Sequence, residues 1–275
     1  MRVALLGTGK MGAAIGRRVA AAGHELTLWN RTRARAEEVG VGSVAGTPEE
    51  AVRGQEVVLS IFFGPESVRE TYARLVPEAG QVYCELTTAG PELPGEIAPA
   101  LEARGAQLLT CPIFGTPPAV AEGAATVLVG GDERAAARAL PVLKAFSVPQ
   151  PGGSREEAAA VKLVNNAMLG ITSAAAAELL NAARRQGLDP DRVFERLNVF
   201  APNLARDRRG FLGRDHSVQT WEVSAMRKDL DLALRAAHAS GAPLPLTAAA
   251  AELFTFVEPA HGNDEMTAVI EAFGQ

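Results

Sequence analysis

Over the first 150 residues the chain switches repeatedly between two textures. Short continuous apolar runs of four or five residues alternate with longer stretches whose apolar positions recur at helical spacing. The first run is Arg2-Val3-Ala4-Leu5-Leu6, followed at once by Gly7-Thr8-Gly9-Lys10-Met11-Gly12 and a helix-like stretch over 13–22 that Gly23 stops. Residues 25–29 read as a second strand, ending on Asn30-Arg31-Thr32. Further buried strands are expected at 57–61, 82–86, 107–109 and 125–129, the last ended by Gly130-Gly131. Helices are expected near 48–53, 66–76, 94–104 and 132–143. Continuous apolar strands need cover on both faces, so this alternation predicts a parallel, doubly wound α/β sheet.

After that the texture changes. Val148-Pro149-Gln150-Pro151-Gly152-Gly153-Ser154 reads as a linker, and no strand-like run stands out beyond it. Residues 156–186 predict one long helix, broken in pattern only by Gly170; about thirty residues at 1.5 Å each would reach roughly 45 Å. Gly187 is a stop and Asp189-Pro190 a start. Helices are expected near 191–199, 221–240, 246–257 and 263–273. The expected organisation is a nucleotide-binding domain over 1–154 and an all-helical substrate and dimerisation domain over 155–275, joined by the long helix.

The glycine turn narrows the chemistry. Strand, Gly-x-Gly-x-x-Gly, helix and second strand make the dinucleotide-binding βαβ unit of a Rossmann domain. Gly7 permits the tight turn, Gly9 lets the backbone approach a pyrophosphate, and Gly12 lets the helix pack on the strand. The amides from Thr8 to Gly12, with Lys10 and Met11 opening the helix, then face the phosphates with the helix dipole behind them. An NAD site usually holds Asp or Glu at the end of the second strand. Here stand neutral Asn30, then Arg31 and Thr32. A carboxylate repels a 2′-phosphate whereas a guanidinium binds it, so NADP is expected over NAD, with NAD possible.

Composition excludes more than it selects. The 275 residues carry a formal net charge of −5, 47% hydrophobic and 21% charged residues, and no basic block, so neither nucleic acid nor an anionic membrane is an expected partner. No apolar run is expected to reach transmembrane length. A strand beginning within two residues of Met1 leaves no room for a signal peptide, so a cytoplasmic protein is expected. Cys84 and Cys111 make no disulfide framework, and with four histidines no metal site is expected.

A second constellation lies in the long helix. Lys162, Asn165 and Asn166 are spaced i, i+3 and i+4, so they fall on one side of it. An ammonium beside two carboxamides can grip a carbonyl or hydroxyl oxygen and pass it a proton while hydride reaches the carbon. On spacing alone, a snorkelling surface lysine with two surface asparagines is the commoner arrangement.

Taken together, the glycine turn, the Asn-Arg-Thr end and the Lys-x-x-Asn-Asn helix resemble the β-hydroxyacid dehydrogenase family, which includes 3-hydroxyisobutyrate dehydrogenase and tartronate semialdehyde (glyoxylate) reductase. Other segments agree in order: Glu85-Leu86-Thr87-Thr88, Cys111-Pro112-Ile113-Phe114-Gly115, Ala121-Glu122-Gly123, Lys228-Asp229-Leu230 and the Pro243-Leu244-Pro245 turn. The resemblance covers essentially the whole chain. It implies Lys162 as catalytic acid/base, with Asn166, helped by Asn165, orienting a small-molecule substrate. It puts Thr88 near the nicotinamide ribose and Lys228 within reach of cofactor or substrate, and it implies a homodimer or homotetramer. The chain departs from the family at the substrate loop. Where the family usually has Ser-Gly-Gly, this chain has Phe114-Gly115-Thr116, with Pro117 behind. A hydroxyl is lost to an apolar ring and an amide donor to proline, which favours a larger or less polar substrate, though Thr116 could restore one contact. Phe62 and Phe63 add aromatic surface at the expected cofactor edge or, equally, to the core.

The expected activity is hydride transfer between NADP(H) and a small hydroxy acid or its aldehyde or keto form. An imine or apolar-carbonyl reductase of the same fold is the alternative, although imine reductases usually carry Asp or Tyr where this chain has Lys162. A non-catalytic nucleotide-binding partner protein is the second alternative, and the presence of Lys162 argues against it.

Overall fold

The structure is a computed structural model describing residues 1–217 and 220–274. The chain forms two compact units, Met1–Lys162 and Leu163 onward.

In the first unit the strands are β1 (Arg2–Leu6), β2 (Glu25–Trp29), β3 (Ser43–Val44), β4 (Val57–Ser60), β5 (Val82–Glu85), β6 (Gln107–Thr110), β7 (Ile113–Phe114), β8 (Ala125–Gly131) and β9 (Ser147–Pro151). Their order is β3-β2-β1-β4-β5-β6-β8-β7, with β9 on the other side of β8. The first six are parallel. β8 runs antiparallel to β6 and β7, and β9 parallel to β8. The 3-2-1-4-5-6 order is that of the Rossmann fold, with its crevice where the order reverses at β1 and β4.

The helices of this unit are α1 (Lys10–Ala21), α2 (Arg33–Glu37), α3 (Pro48–Val52), α4 (Pro65–Tyr72), α5 (Leu93–Glu102), α6 (Pro117–Glu122) and α7 (Glu133–Leu143). They cover both faces of the sheet. Val3, Leu5, Val57, Leu59 and Cys84 point into one core with Ile15 and Val19 of α1. Ala4, Leu6, Val58 and Tyr83 point into the other, with Val68 and Ile97. Two-sided burial is why the strands read as unbroken apolar runs. Both cysteines are buried, and burial pushes the Cys111 thiol well above its ordinary range.

Two segments differ from the expectation. The Pro- and Gly-rich stretch expected to be a linker begins as β9, and Gly130-Gly131 continue β8 instead of ending it. Pro149 and Pro151 have no amide hydrogen, which a strand tolerates at an edge, and among the described residues β9 pairs with β8 alone. The short elements β3, β7 and α6 have too few residues to show a period.

The long helix α8 (Arg155–Arg185) begins in the first unit and continues in the second. Gly170 does not interrupt it: a Cβ there would lie 2.8 Å from Leu230 Cδ2, so the glycine answers to packing within the second unit. By length and composition α8 could cross a membrane, contrary to the expectation that no run reaches such a length. Half of its most apolar window is buried inside the protein, and Leu163, Ala167, Ala177 and Leu180 belong to the second unit's core.

That unit continues with α9 (Pro190–Phe200), a 3-10 segment (Pro202–Asp207), α10 (Arg208–Gly213), α11 (Val223–Ser240) and α12 (Pro245–His261). It ends in a second 3-10 segment, Met266–Phe273, where the sequence predicts an α-helix. Among the described residues it holds no named strand.

Candidate active site

The phosphate turn is built by contrast among three glycines. Gly7 sits at φ +96°, and a Cβ there would lie 2.0 Å from the Ile61 carbonyl oxygen. A Cβ on Gly12 would lie 2.1 Å from the Gly7 carbonyl oxygen. A Cβ on Gly9 would meet nothing within 4 Å. Two glycines therefore let the strand, turn and helix close on one another, and the third faces open space where a bound phosphate would approach. Gly9 caps α1 with no side-chain hydrogen bond, which leaves the first-turn amides to an anion. The Thr8 hydroxyl is buried without a hydrogen-bond partner, a further polar group suited to a phosphate. The residues fit a dinucleotide.

A separation of roles follows for substitutions. Gly12→Ala should cost at least about 2 kcal/mol of stability, because backbone atoms must move. Gly9→Ala should leave stability within about 0.5 kcal/mol yet weaken NADPH binding. Thermal melting and NADPH titration of the two variants check this; equal destabilisation by both would contradict it.

At the end of β2, Asn30 ties two turns together. Its Oδ1 accepts from the Thr8 amide at 3.1 Å, and its Nδ2 donates to the Thr32 carbonyl at 3.0 Å. Arg31 is exposed between these tethers and has no hydrogen bond or ion pair among the described residues. Arg33 is engaged with Glu37 at 2.7 Å. Across the crevice the Phe62 amide donates to Thr87 Oγ1 at 2.9 Å, and a Cβ on Gly7 would come within 3.3 Å of the Phe62 ring. Phe62 is partly buried against the sheet core, while Phe63 is 57% exposed. Thr88 directly follows Thr87 on the loop after β5.

Lys162 is not a snorkelling surface residue. It is 2% exposed, its Nζ donates to the Ile113 carbonyl at 2.6 Å, and the Phe114 ring centroid lies 4.7 Å from Nζ. A buried ammonium is costly unless paired; the carbonyl and a cation–π contact of about 0.5–2 kcal/mol offset part of that. Phe114 ends β7, and Gly115 follows at φ +147°, with its Cβ position 3.1 Å from Ala125 Cβ, so no other residue fits that turn easily. Thr116 caps α6 through its backbone, its hydroxyl making no capping bond ahead of Pro117 and Pro118.

One turn further along α8, in the second unit, Asn166 is fully buried whereas Asn165 is exposed, so the two asparagines diverge from the single face expected. Asn165 Nδ2 still donates to Asn166 Oδ1 at 3.1 Å. Asn166 Nδ2 donates to Asp229 Oδ2 at 2.7 Å, and Lys228 Nζ lies 2.8 Å from Asp229 Oδ1. Asp229 is 1% exposed and locks the Asn166 amide in one orientation. Asp229 and Glu85 fall within the motifs that carry the family resemblance, which implies no role for either. Glu85 carries a signal, a carboxylate closing the apolar run Val82-Tyr83-Cys84, whereas Asp229 sits beside Lys228 and close to Arg227 and Asp231, so the sequence does not mark it out.

Comparison with known proteins agrees with this geometry. The family model for the NAD binding domain of 6-phosphogluconate dehydrogenase matches residues 2–165. That for the NAD-binding of NADP-dependent 3-hydroxyisobutyrate dehydrogenase matches residues 157–273. The chain is 30% identical to 3-hydroxyisobutyrate dehydrogenase of Pseudomonas aeruginosa, over 96% of this chain and 94% of that one. It is 26% identical to L-threonate dehydrogenase of Cupriavidus necator, over 98% and 95%. The solved structure of Mycobacterium tuberculosis 3-hydroxyisobutyrate dehydrogenase with L-serine superposes with a TM-score of 0.88 at 26% identity, covering both chains completely. A phosphate turn of this build on a strand order of this kind, matched from end to end, places the chain in the β-hydroxyacid dehydrogenase family, as an NAD(P)-dependent oxidoreductase of the 3-hydroxyisobutyrate dehydrogenase fold.

Proposed function

We propose that this protein is an NADP(H)-preferring enzyme interconverting a small hydroxy acid and its aldehyde or keto form, with Lys162 as acid/base. The observation that carries the reading is the buried Lys162 ammonium, held by the Ile113 carbonyl in the same unit as the phosphate turn. A bound nicotinamide supplies or accepts the hydride. In reduction, Lys162 gives its proton to the carbonyl oxygen as the carbon gains hydride; in oxidation, the neutral amine takes the hydroxyl proton. Asn166, with its amide fixed by Asp229, orients the substrate oxygen. The small hydroxylated compounds in the names of the relatives, L-threonate and L-serine, support a hydroxy-acid substrate.

Phe114 favours a second reading, an apolar carbonyl or imine substrate. Its ring covers the Lys162 ammonium, where a serine would offer a hydroxyl to a carboxylate. Assays of hydroxy acids, small acidic aldehydes, apolar ketones and cyclic imines with NADPH and NADH separate the two. Phe114→Ser should shift kcat/KM toward succinic semialdehyde over cyclohexanecarbaldehyde by roughly tenfold, the worth of one polar contact of about 1.4 kcal/mol. An unchanged ratio would remove Phe114 from the substrate site.

A further inference from the structure

Glu85 is a carboxylate where the sheet should be apolar. It is the last residue of β5, 3% exposed, in a strand whose four residues are all buried. Its Oε1 accepts from the Thr87 amide at 2.9 Å, and its backbone carbonyl accepts from the Cys111 amide at 2.6 Å, so its position is fixed at both ends. Glu85 and Lys162 line the same cleft in the first unit, walled otherwise by Thr87, Thr110, Pro112 and apolar residues of α5. The space measures ≈ 10 Å³, room for about one water. Thr110 is 5% exposed, and its hydroxyl has no hydrogen-bond partner. A cleft that buries an acid, an ammonium and a spare hydroxyl together is too polar to be mere packing.

We infer that Glu85 is a positioning residue for the proton on Lys162, acting through this shared cleft. The inference rests on Lys162 being the acid/base. A buried carboxylate favours the ammonium over the neutral amine, so it keeps the lysine charged for reduction and resists its deprotonation for oxidation. Glu85 and Lys162 are the charged groups among the described lining residues. Tyr72 and Cys111 lie near the carboxylate, and burial pushes both groups well above their ordinary range, so neither adds a charge there. Exposed Glu92 stands beside Gly90 at the rim, where water screens it. Arg155, on the same helix as Lys162, is paired with Glu102 at 3.0 Å. Each reductive turnover moves one proton from Lys162 to the new hydroxyl and one hydride from reduced cofactor to carbon; solvent then reprotonates the amine.

The test is the pH profile of kcat with NADPH, using whichever of succinic semialdehyde and cyclohexanecarbaldehyde turns over faster. In Glu85→Gln the alkaline limb of reduction should move down by about one pH unit, a tenfold loss of rate on that limb. The KM for NADPH should stay within about twofold of wild type, so the change falls on kcat. The acid limb of alcohol oxidation should move down in step. Glu85→Asp, which withdraws the carboxylate by one methylene, should fall between wild type and Gln. Limbs that stay in place, or a Gln variant slowed equally at every pH with wild-type melting, would overturn the inference. Should Glu85→Gln not fold, Glu85→Asp decides alone: its alkaline limb must drop. A Lys162→Ala enzyme that still turns over removes the acid/base reading and this inference together. A dead Lys162→Ala with unmoved Glu85 limbs removes this inference only.

Discussion

Lys162→Ala should lower turnover by about 10²–10⁴-fold in both directions, the usual worth of a positioned acid/base. NADPH binding, followed by fluorescence titration, should change by no more than about threefold, since the phosphate turn is built from other residues of the unit. The loss should therefore appear in kcat. Stability has two opposed contributions. The Ile113 carbonyl loses its 2.6 Å donor, at a cost of about 1–3 kcal/mol if nothing replaces it. A buried charge is also removed, which is favourable. A melting temperature near that of wild type is then compatible with a dead enzyme, and that combination marks a chemical role. Lys162→Arg should not rescue activity, because a guanidinium keeps its charge and cannot act as base, and its planar fork does not fit a site shaped for one Nζ. Turnover within tenfold of wild type in the Ala variant would make Lys162 a structural ion.

How much of this was legible follows the range of the interactions involved. The Gly7, Gly9 and Gly12 spacing encodes a local turn, so sequence alone reads it, and the steric contacts account for each glycine separately. The parallel sheet was legible because both of its faces are buried, which leaves a mark on every central strand. The edge was not. Pro149 and Pro151 look like linker residues, and only the presence of β8 alongside makes a strand of them. The same limit applies to the site. Lys162 and Asn166 are near neighbours on one helix, so their spacing puts them side by side, although their roles come only from the family resemblance. Glu85 and Lys162 line one cleft, and Asn166 and Asp229 share a hydrogen bond, yet each pair is separated by tens of residues and is brought together only by tertiary packing. Asn165 shows where spacing misleads: i+3 from Lys162 lands on the exposed side of α8, although its amide still reaches back to Asn166.

Arg31→Ala should weaken NADPH binding by roughly 10- to 150-fold while leaving NADH within about twofold. A hydrogen bond to a charged group is worth about 1.5–3 kcal/mol, and each 1.4 kcal/mol is tenfold. The placement supports the assignment to the 2′-phosphate. Asn30 is held on both sides, to the Thr8 amide and the Thr32 carbonyl, so the backbone at Arg31 is fixed while its side chain is exposed and uncommitted. Arg33 is already paired with Glu37, which makes it the weaker candidate, and Arg33→Ala should cost NADPH several-fold less. No carboxylate stands at the end of β2 to hold the ribose hydroxyls of NAD, so NADH has little to lose. Arg31→Lys should recover part of the affinity, because the charge returns without the two-pronged geometry. Raising salt should weaken NADPH binding more in the wild type than in Arg31→Ala, since an exposed charge contact is screened. Equal losses of both cofactors would mean that Arg31 supports the turn itself, and tighter NADH than NADPH in the wild type would reverse the cofactor preference.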